Sequence, residues 1–202
     1  MKYEFFNVGE DEIKIPFPTS YKDCALLAQS DYFRYVGKVV PIWKIYFSSI
    51  YSDAALFCFW FRMAQHRKGL FYYYSMWRYI RLSRKRGIHI SPKMKVGLGF
   101  YLGHLFGIII NPTTKIGNNC NLSQFTNIGS NKRNAAVIGD NVYIAPSVCL
   151  VENVHIGSNV SIGAGSVVVK DISKNATAAG VPAKVLNYNN PGRFVNRRWS
   201  VS

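Results

Sequence analysis

A chain of 202 residues is long enough to bury a core, and this length predicts one compact domain with a helical appendage. The formal net charge of +15 at pH 7 predicts attraction to anions: nucleotide phosphates, acidic glycans or an anionic membrane surface. No nucleic-acid-binding motif accompanies this charge, so nucleic acid is not predicted as a partner. No apolar run in the sequence reaches the length of a membrane span.

The four cysteines, Cys24, Cys58, Cys120 and Cys149, follow no zinc or redox spacing. We therefore predict no metal site. The first residues contain no basic-then-apolar leader, which favours a cytoplasmic protein with reduced thiols.

Residues 1–86 are expected to form an N-terminal arm followed by an aromatic and basic α-helical region. The polar stretch of residues 1–20, with Pro16 and Pro18, predicts a loose arm. Residues 21–40 predict a helix, and Ser30 before Asp31 indicates a helix start with Ser30 as N-cap.

Apolar residues recur at helical spacing between residues 42 and 86, among many Arg and Lys. They are Leu56, Phe59, Trp60, Met63, Leu70, Tyr73, Tyr74, Trp77 and Ile80. One interpretation is that these faces pack against each other and the rest of the chain, and we favour it. The alternative is a peripheral helical surface on the inner face of a membrane, with the basic side chains at the headgroups.

From residue 96 to 169 the sequence repeats every six residues. Glycine follows the first residue of several hexads. That first residue is always aliphatic: Ile110, Ile116, Leu122, Ile128, Ile138, Ile144, Leu150, Ile156, Ile162 and Val168. This period fits neither an amphipathic helix nor an alternating strand and is typical of a parallel β-helix, whose coils stack on one another. We therefore predict a mainly β protein with this solenoid over residues 87–186.

Two breaks in the hexad register indicate where a ligand could bind. Leu102 and Ile110 are eight residues apart, and Ile128 and Ile138 are ten apart, which predicts an extruded loop around residues 130–135. Insertions in solenoids leave the coil as loops and often lie on the binding face. The solenoid should end in the small-residue turn of residues 178–184, followed by a flexible basic tail over residues 187–202.

Three segments resemble the serine O-acetyltransferases: GHLFGI at 103–108, IGAGS at 162–166 and AGVPAK at 179–184. The similarity is greatest to the branch found with capsule and exopolysaccharide genes, whose members also have an upstream aromatic, basic region like SDYFRY at 30–35. This resemblance implies a left-handed parallel β-helix, acetyl-CoA as donor, a homotrimer, and active sites between neighbouring subunits.

The resemblance also implies that His104 is the general base, a role that suits a histidine near neutral pH. For the donor it implies a groove lined by small residues and closed by a lysine that meets phosphate. These residues are Ala145, Gly163, Ala164, Gly165, Ala179, Gly180 and Lys184. In the family an Asp stands fifteen positions before the catalytic His; here His89 stands there, and we expect Asp31 to replace it across a subunit boundary.

The acceptor is less constrained, because the predicted loop lacks the second His that the family uses there. We favour a sugar hydroxyl in surface polysaccharide biosynthesis, with serine acetylation for cysteine biosynthesis as the alternative. A third interpretation is a non-catalytic trimeric or membrane-peripheral scaffold.

Overall fold

A computed structural model describes residues 1–50 and 52–200 and shows a β-hairpin, helices and a parallel β-solenoid in that order. The hairpin and helices are β1 Lys2–Val8, β2 Asp11–Phe17, α1 Tyr21–Val36, α2 Ile42–Ser49, α3 Asp53–Met63 and α4 Leu70–Arg86. The solenoid strands are β3 Lys95–Val96, β4 Tyr101–Leu102, β5 Ile109–Ile110, β6 Lys115–Ile116, β7 Asn121–Leu122, β8 Asn127–Gly129, β9 Val137–Ile138, β10 Tyr143–Ile144, β11 Cys149–Val151, β12 His155–Ile156, β13 Ser161–Ile162 and β14 Val167–Val168. β15 Thr177–Gly180 and β16 Ala183–Asn187 close its end as an antiparallel pair.

The solenoid has three faces, which we name by what covers them. The cleft face holds β4, β7, β10, β13 and β15; the open face holds β5, β8, β11 and β14; the hairpin face holds β3, β6, β9 and β12. All ten aliphatic residues that head the hexads are at most 3% exposed, which confirms the predicted period. Residues 131–134 are exposed where the second register break predicted an extruded loop.

Asparagine forms one corner of successive coils, a feature that the sequence analysis did not identify. Asn119, Asn141, Asn159 and Asn175 all have positive φ, between 55° and 66°, and Gly99 occupies the same corner of the first coil. Asn is the residue other than Gly that best tolerates this left-handed conformation. The side chains also bond along the solenoid axis, because Asn141 donates to Asn159 (3.1 Å) and Asn159 donates to Asn175 (3.0 Å).

Residues 1–20 form a β-hairpin, so the prediction of a loose arm is wrong. Its apolar side, including Ile13 and Ile15, buries against Val137 of the solenoid. The Lys95 ammonium lies 4.1 Å from the centre of the Phe17 ring, which adds a cation–π contact. The hairpin therefore covers the hairpin face.

α1 begins earlier in the chain than the Ser30 prediction implied, with Ser20 as its N-cap. The Ser20 hydroxyl accepts from the Asp23 backbone N–H, and the Asp23 carboxylate accepts from that of Ser20, which makes a capping box. Ser30 lies buried in the middle of the helix, so its predicted capping role is wrong. The helix ends at Gly37, where φ is +73°.

The packing prediction for the helical region is confirmed for α3 and wrong for much of α4. The apolar residues of α3 are buried. In α4, by contrast, Leu70 is 88% exposed, Tyr73 71% and Trp77 51%. No helix among the described residues combines the length and the apolar character needed to cross a bilayer.

The tail that was predicted to be flexible instead packs along the cleft face up to residue 200. The Trp199 backbone N–H donates to the Asn119 side chain (2.8 Å), and the Asn121 side chain donates to the Phe194 carbonyl (3.1 Å). The Phe194 ring lies 4.9 Å from that of Tyr143. Together with α1, the tail covers much of this face, whereas on the open face the Ile109 side chain is 46% exposed.

Candidate functional site

One corner of the solenoid aligns His104 with residues predicted to bind the donor. Leu102, Leu122, Ile144, Ile162 and Ala178 pair in register on the cleft face. The residues that follow them therefore occupy the same corner on successive rungs: Gly103 and His104, Ser123 and Gln124, Ala145 and Pro146, Gly163 and Ala164, Ala179 and Gly180. Backbone N–H groups along this corner donate to the next rung at 2.9–3.2 Å.

His104 is exposed and borders a cleft of about 550 Å³ between the solenoid, α1 and the tail. The cleft is lined by Arg34, Tyr101, Gly103, His104, Asn121, Leu122, Ser123, Gln124, Tyr143, Pro146, Phe194, Asn196 and Arg197. Among the described residues no side-chain hydrogen bond reaches the His104 ring, so both of its nitrogens are available to a ligand.

Gln124 stands one rung from His104 at the same corner. Its Oε1 is buried and has no hydrogen-bond partner in the described part of the chain. A buried acceptor without a partner is costly, which singles this atom out as one that a ligand or the neighbouring imidazole could satisfy.

The cleft is positively charged, because its lining includes two arginines and no acidic residue within the described chain. Arg34 is only 5% exposed. It donates to the carbonyls of Asn196 (3.0 Å) and Gly99 (2.8 Å) and to the side-chain oxygen of Asn121 (2.7 Å). Burial lowers the pKa of the Arg34 guanidinium from its ordinary value, and an arginine still stays charged at neutral pH.

The residues predicted to bind the donor lie along this corner or on the terminal strand pair, and their exposure differs. Ala164, Gly165, Gly180 and Lys184 are exposed, Gly163 and Ala179 are half-buried, and Ala145 is buried. A Cβ on Gly163 would lie 2.9 Å from that of Ala179, so packing requires this glycine. Gly165 instead has open space around it and a φ of +68°, which leaves its backbone accessible.

Asp31 does not line the cleft, and the role predicted for it is corrected. Its two carboxylate oxygens accept from the Arg62 guanidinium at 2.7 and 3.0 Å, and one also accepts from the Phe100 backbone N–H at 2.8 Å. The side chain is 1% exposed. Because the carboxylate is buried and bonded inside its own protomer, it is not available to orient His104 across a subunit boundary.

His89 lies elsewhere as well, in a second cleft of about 850 Å³ beside α4 and the open face. No group of three His, Cys, Asp or Glu side chains suited to a metal ion comes together in residues 1–50 and 52–200.

The tail contributes to this site in a way that was not predicted from the sequence. Phe194, Asn196 and Arg197 form one wall of the cleft that contains His104. The hexad period ends before these residues, so no repeat marks them. The sequence signal that could have identified these tail residues is an aromatic residue within a short basic segment.

The solenoid part of the chain is similar to known proteins. Residues 135–170 match the family model described as bacterial transferase hexapeptide (six repeats). A serine acetyltransferase of Synechococcus elongatus is 33% identical over 105 residues, which are 50% of this chain and 43% of that protein. The chain thus spans less than half the length of this curated relative.

Two solved structures have the same fold. A serine acetyltransferase of Neisseria gonorrhoeae in complex with serine aligns with a TM-score of 0.61 and 25% identity, covering 82% of this chain and 69% of that one. A serine acetyltransferase in complex with CoA aligns with a TM-score of 0.64 and 24% identity, covering 81% and 68%. The chain is therefore similar to serine acetyltransferases over about half its length, and residues 135–170 match the hexapeptide repeats of bacterial transferases.

Proposed function

We propose that the protein is an acetyl-CoA-dependent O-acetyltransferase with His104 as its general base. The observation that carries this proposal is the alignment of an exposed histidine with a column of small residues on one solenoid corner. The solved relative whose name includes CoA shares this solenoid fold and supports the choice of donor.

In the proposed reaction His104 takes the proton from the acceptor hydroxyl as its oxygen attacks the acetyl carbon. The new C–O bond forms and the C–S bond breaks, and the imidazolium returns its proton to the leaving thiolate. Transfer is direct, so no cysteine nucleophile is required. We assign Gln124 Oε1 the role of holding the imidazole N–H that faces away from the acceptor, because it lies one rung away and has no other partner.

The donor fits the corner that continues from His104. The backbone is exposed at Ala164, Gly165 and Gly180, so the flexible chain of acetyl-CoA can lie against it. Gly163 lies three rungs from His104, which is roughly 14 Å at the usual strand spacing. Lys184, exposed at the terminal strand pair, supplies a cation for phosphate. Acetyl-CoA provides the activated acetyl group.

L-Serine is the first acceptor to consider, because the curated relatives that match this chain are named serine acetyltransferases. Their names favour serine over the sugar of a surface polysaccharide. One observation still favours a sugar hydroxyl as the second candidate. Among the residues that the structure describes, no acidic side chain lines the cleft to meet the ammonium of serine, whereas tyrosine, phenylalanine and asparagine side chains do line it.

We further propose that the protein acts as a homotrimer whose contacts involve the open face. The cleft face and the hairpin face are covered by other parts of the same chain. The open face and its edge expose Phe106, Ile109, Phe125 and Val169. Such an apolar patch is typical of a protein interface, and it adjoins the corner that carries His104.

We also propose a membrane surface as a partner. No Asp or Glu occurs between residues 54 and 139, so α4 itself carries basic residues and no acidic ones. Arg81 lies 5.7 Å from the Trp77 ring centre, and both are exposed. Aromatic side chains flanked by cations suit the headgroup region of an anionic bilayer.

The proposed activity is tested by following free thiol from acetyl-CoA with L-serine and with D-glucose or D-glucuronate as acceptors. Replacement of His104 by Asn removes the base while keeping a polar side chain, and we expect thiol release to fall by about 100-fold or more. His155 is the matched control, since its ring pairs with Asp171 on the hairpin face. His155→Asn should release thiol at the wild-type rate. Wild-type rates for His104→Asn would refute the assignment.

A further inference from the structure

The Arg34 guanidinium is a buried charge that makes no salt bridge within the described chain. The three groups that accept its hydrogen bonds are two backbone carbonyls and an amide oxygen. Asp31 on the same helix pairs with Arg62 instead. Buried charges are costly unless an opposite charge meets them. A guanidinium has five N–H groups, so two of them remain for another ligand.

Arg34 faces the cleft that His104 borders, and Arg197 lines the same cleft from the tail. Arg197 is held there by a hydrogen bond from its Nη1 to the Tyr35 carbonyl. The two arginines come from opposite ends of the chain, and the segments that carry them meet where Arg34 donates to the Asn196 carbonyl. Because no acidic side chain of residues 1–50 or 52–200 lines the cleft, the two charges add to a positive potential there.

We infer that Arg34 and Arg197 bind an anionic group of the acceptor, so that the enzyme acetylates hydroxyls of molecules that carry a carboxylate or a phosphate. This inference rests on the proposed function, because it assigns the cleft beside His104 to the acceptor. A planar guanidinium suits either anion, since its paired N–H groups match two oxygens at once. Neutral sugars would then be poor acceptors, whereas uronic acids, sugar phosphates and L-serine would be better ones.

The experiment compares two acceptor pairs that differ in one charge: L-serine with L-serinamide, and D-glucuronate with D-glucose. Thiol release from acetyl-CoA is measured for the full chain as a function of acceptor concentration. We expect at least one charged member to exceed its neutral partner by about tenfold or more in kcat/KM, the effect of one charge-assisted hydrogen bond. Equal use of the charged and neutral members would overturn the inference.

Arg197→Gln then tests the exposed arginine, and Arg34→Lys tests the buried one while keeping its charge. We expect either change to raise the acceptor KM by about tenfold and to leave the KM for acetyl-CoA unchanged. The matched control is Arg198→Gln, because Arg198 donates only to the tail carbonyls of Val195 and Gly192 and does not line the cleft. A rise in the acetyl-CoA KM alone would mean that the arginines serve the donor, which would also overturn the inference.

Calorimetry without acetyl-CoA separates this inference from the proposed function. D-Glucuronate and L-serine are titrated into the wild type and into Arg197→Gln. We expect binding by the wild type that weakens with added salt, and at least tenfold weaker binding by the variant. Binding with this pattern but no thiol release would refute the acetyltransferase and leave the anion site standing. No binding of either anion would overturn the anion site whatever the turnover.

Discussion

Asp31 and Arg62 join the helical region to the first coil of the solenoid. Besides their pair at 2.7 Å, Asp31 accepts from the Phe100 backbone N–H and Arg62 donates to the Val96 carbonyl at 3.0 Å. Both side chains are at most 1% exposed. Removing one member of such a pair leaves the other charge buried without its partner.

We expect Asp31→Asn to lower the free energy of unfolding by about 3–5 kcal/mol, because the Arg62 charge would stay buried. Urea unfolding followed by tryptophan fluorescence measures this loss. The double change Asp31→Leu with Arg62→Met should cost less than Asp31→Leu or Arg62→Met alone, since neither charge of the pair remains buried. Thiol release per folded molecule should stay at the wild-type value in both. If Asp31→Asn instead lowered kcat without affecting stability, Asp31 would act on the reaction after all.

The contrast between Asp31 and His104 explains which residue roles the sequence can predict. His104 interrupts a six-residue repeat, so its exposure at a corner follows from local spacing, and the structure places it there. Asp31 has no such pattern around it. Its partner Arg62 lies 31 positions away in another helix, and only tertiary packing brings them together. The same limit applies to Arg34, whose contacts with Gly99 and Asn196 span most of the chain.

At the scale of elements, the solenoid was predictable because each coil repeats its own spacing, whereas the hairpin and the tail were not. β1 and β2 alternate only loosely, and their core depends on Val137 of the third coil. The tail follows the asparagine corner through contacts with Asn119 and Asn159, which a sequence pattern does not reveal. Helical spacing predicted that α4 forms, and the side it exposes depends on how it packs against α3.

The exposed side of α4 leads to a prediction about anionic vesicles. The double change Arg81→Glu with Arg84→Glu should weaken binding to phosphatidylserine-containing vesicles by about tenfold or more, since each basic residue near such a surface contributes about 1 kcal/mol. Cosedimentation with vesicles measures it. Lys22→Glu with Lys170→Glu changes the net charge equally at exposed positions elsewhere and serves as the control. Equal binding by both double variants, or no binding of the wild type, would refute the proposed membrane contact.

At the scale of the whole molecule, covered and uncovered faces determine where another copy can bind. The hairpin occupies one face of the solenoid, and α1 and the tail occupy much of a second. The open face carries exposed apolar side chains that include Ile109 (46%) and Phe125 (56%). The corner with His104 adjoins this open face, so an assembly formed through it would place a neighbouring chain beside the proposed reaction.

Phe125 permits a direct test of this assembly, because its φ of +60° favours Asp or Asn over a bulky residue. Phe125→Asp should therefore fold and remove an apolar contact from the interface. In analytical ultracentrifugation we expect the wild type at three times the 22.9 kDa of one chain and the variant as a smaller species. Thiol release should fall with the trimer although His104 is unchanged.

Phe5→Asp is the matched control, since Phe5 is similarly exposed (57%) but lies on the hairpin, away from the open face. It should remain trimeric and active. A dissociated Phe125→Asp variant with wild-type thiol release would show that a single chain completes the site, and the cleft formed by Arg34, His104 and Arg197 would then suffice alone. A wild type that sediments as one chain would refute the trimer directly. If Phe125→Asp loses both the trimer and the activity while Phe5→Asp keeps both, a neighbouring chain supplies part of the donor groove.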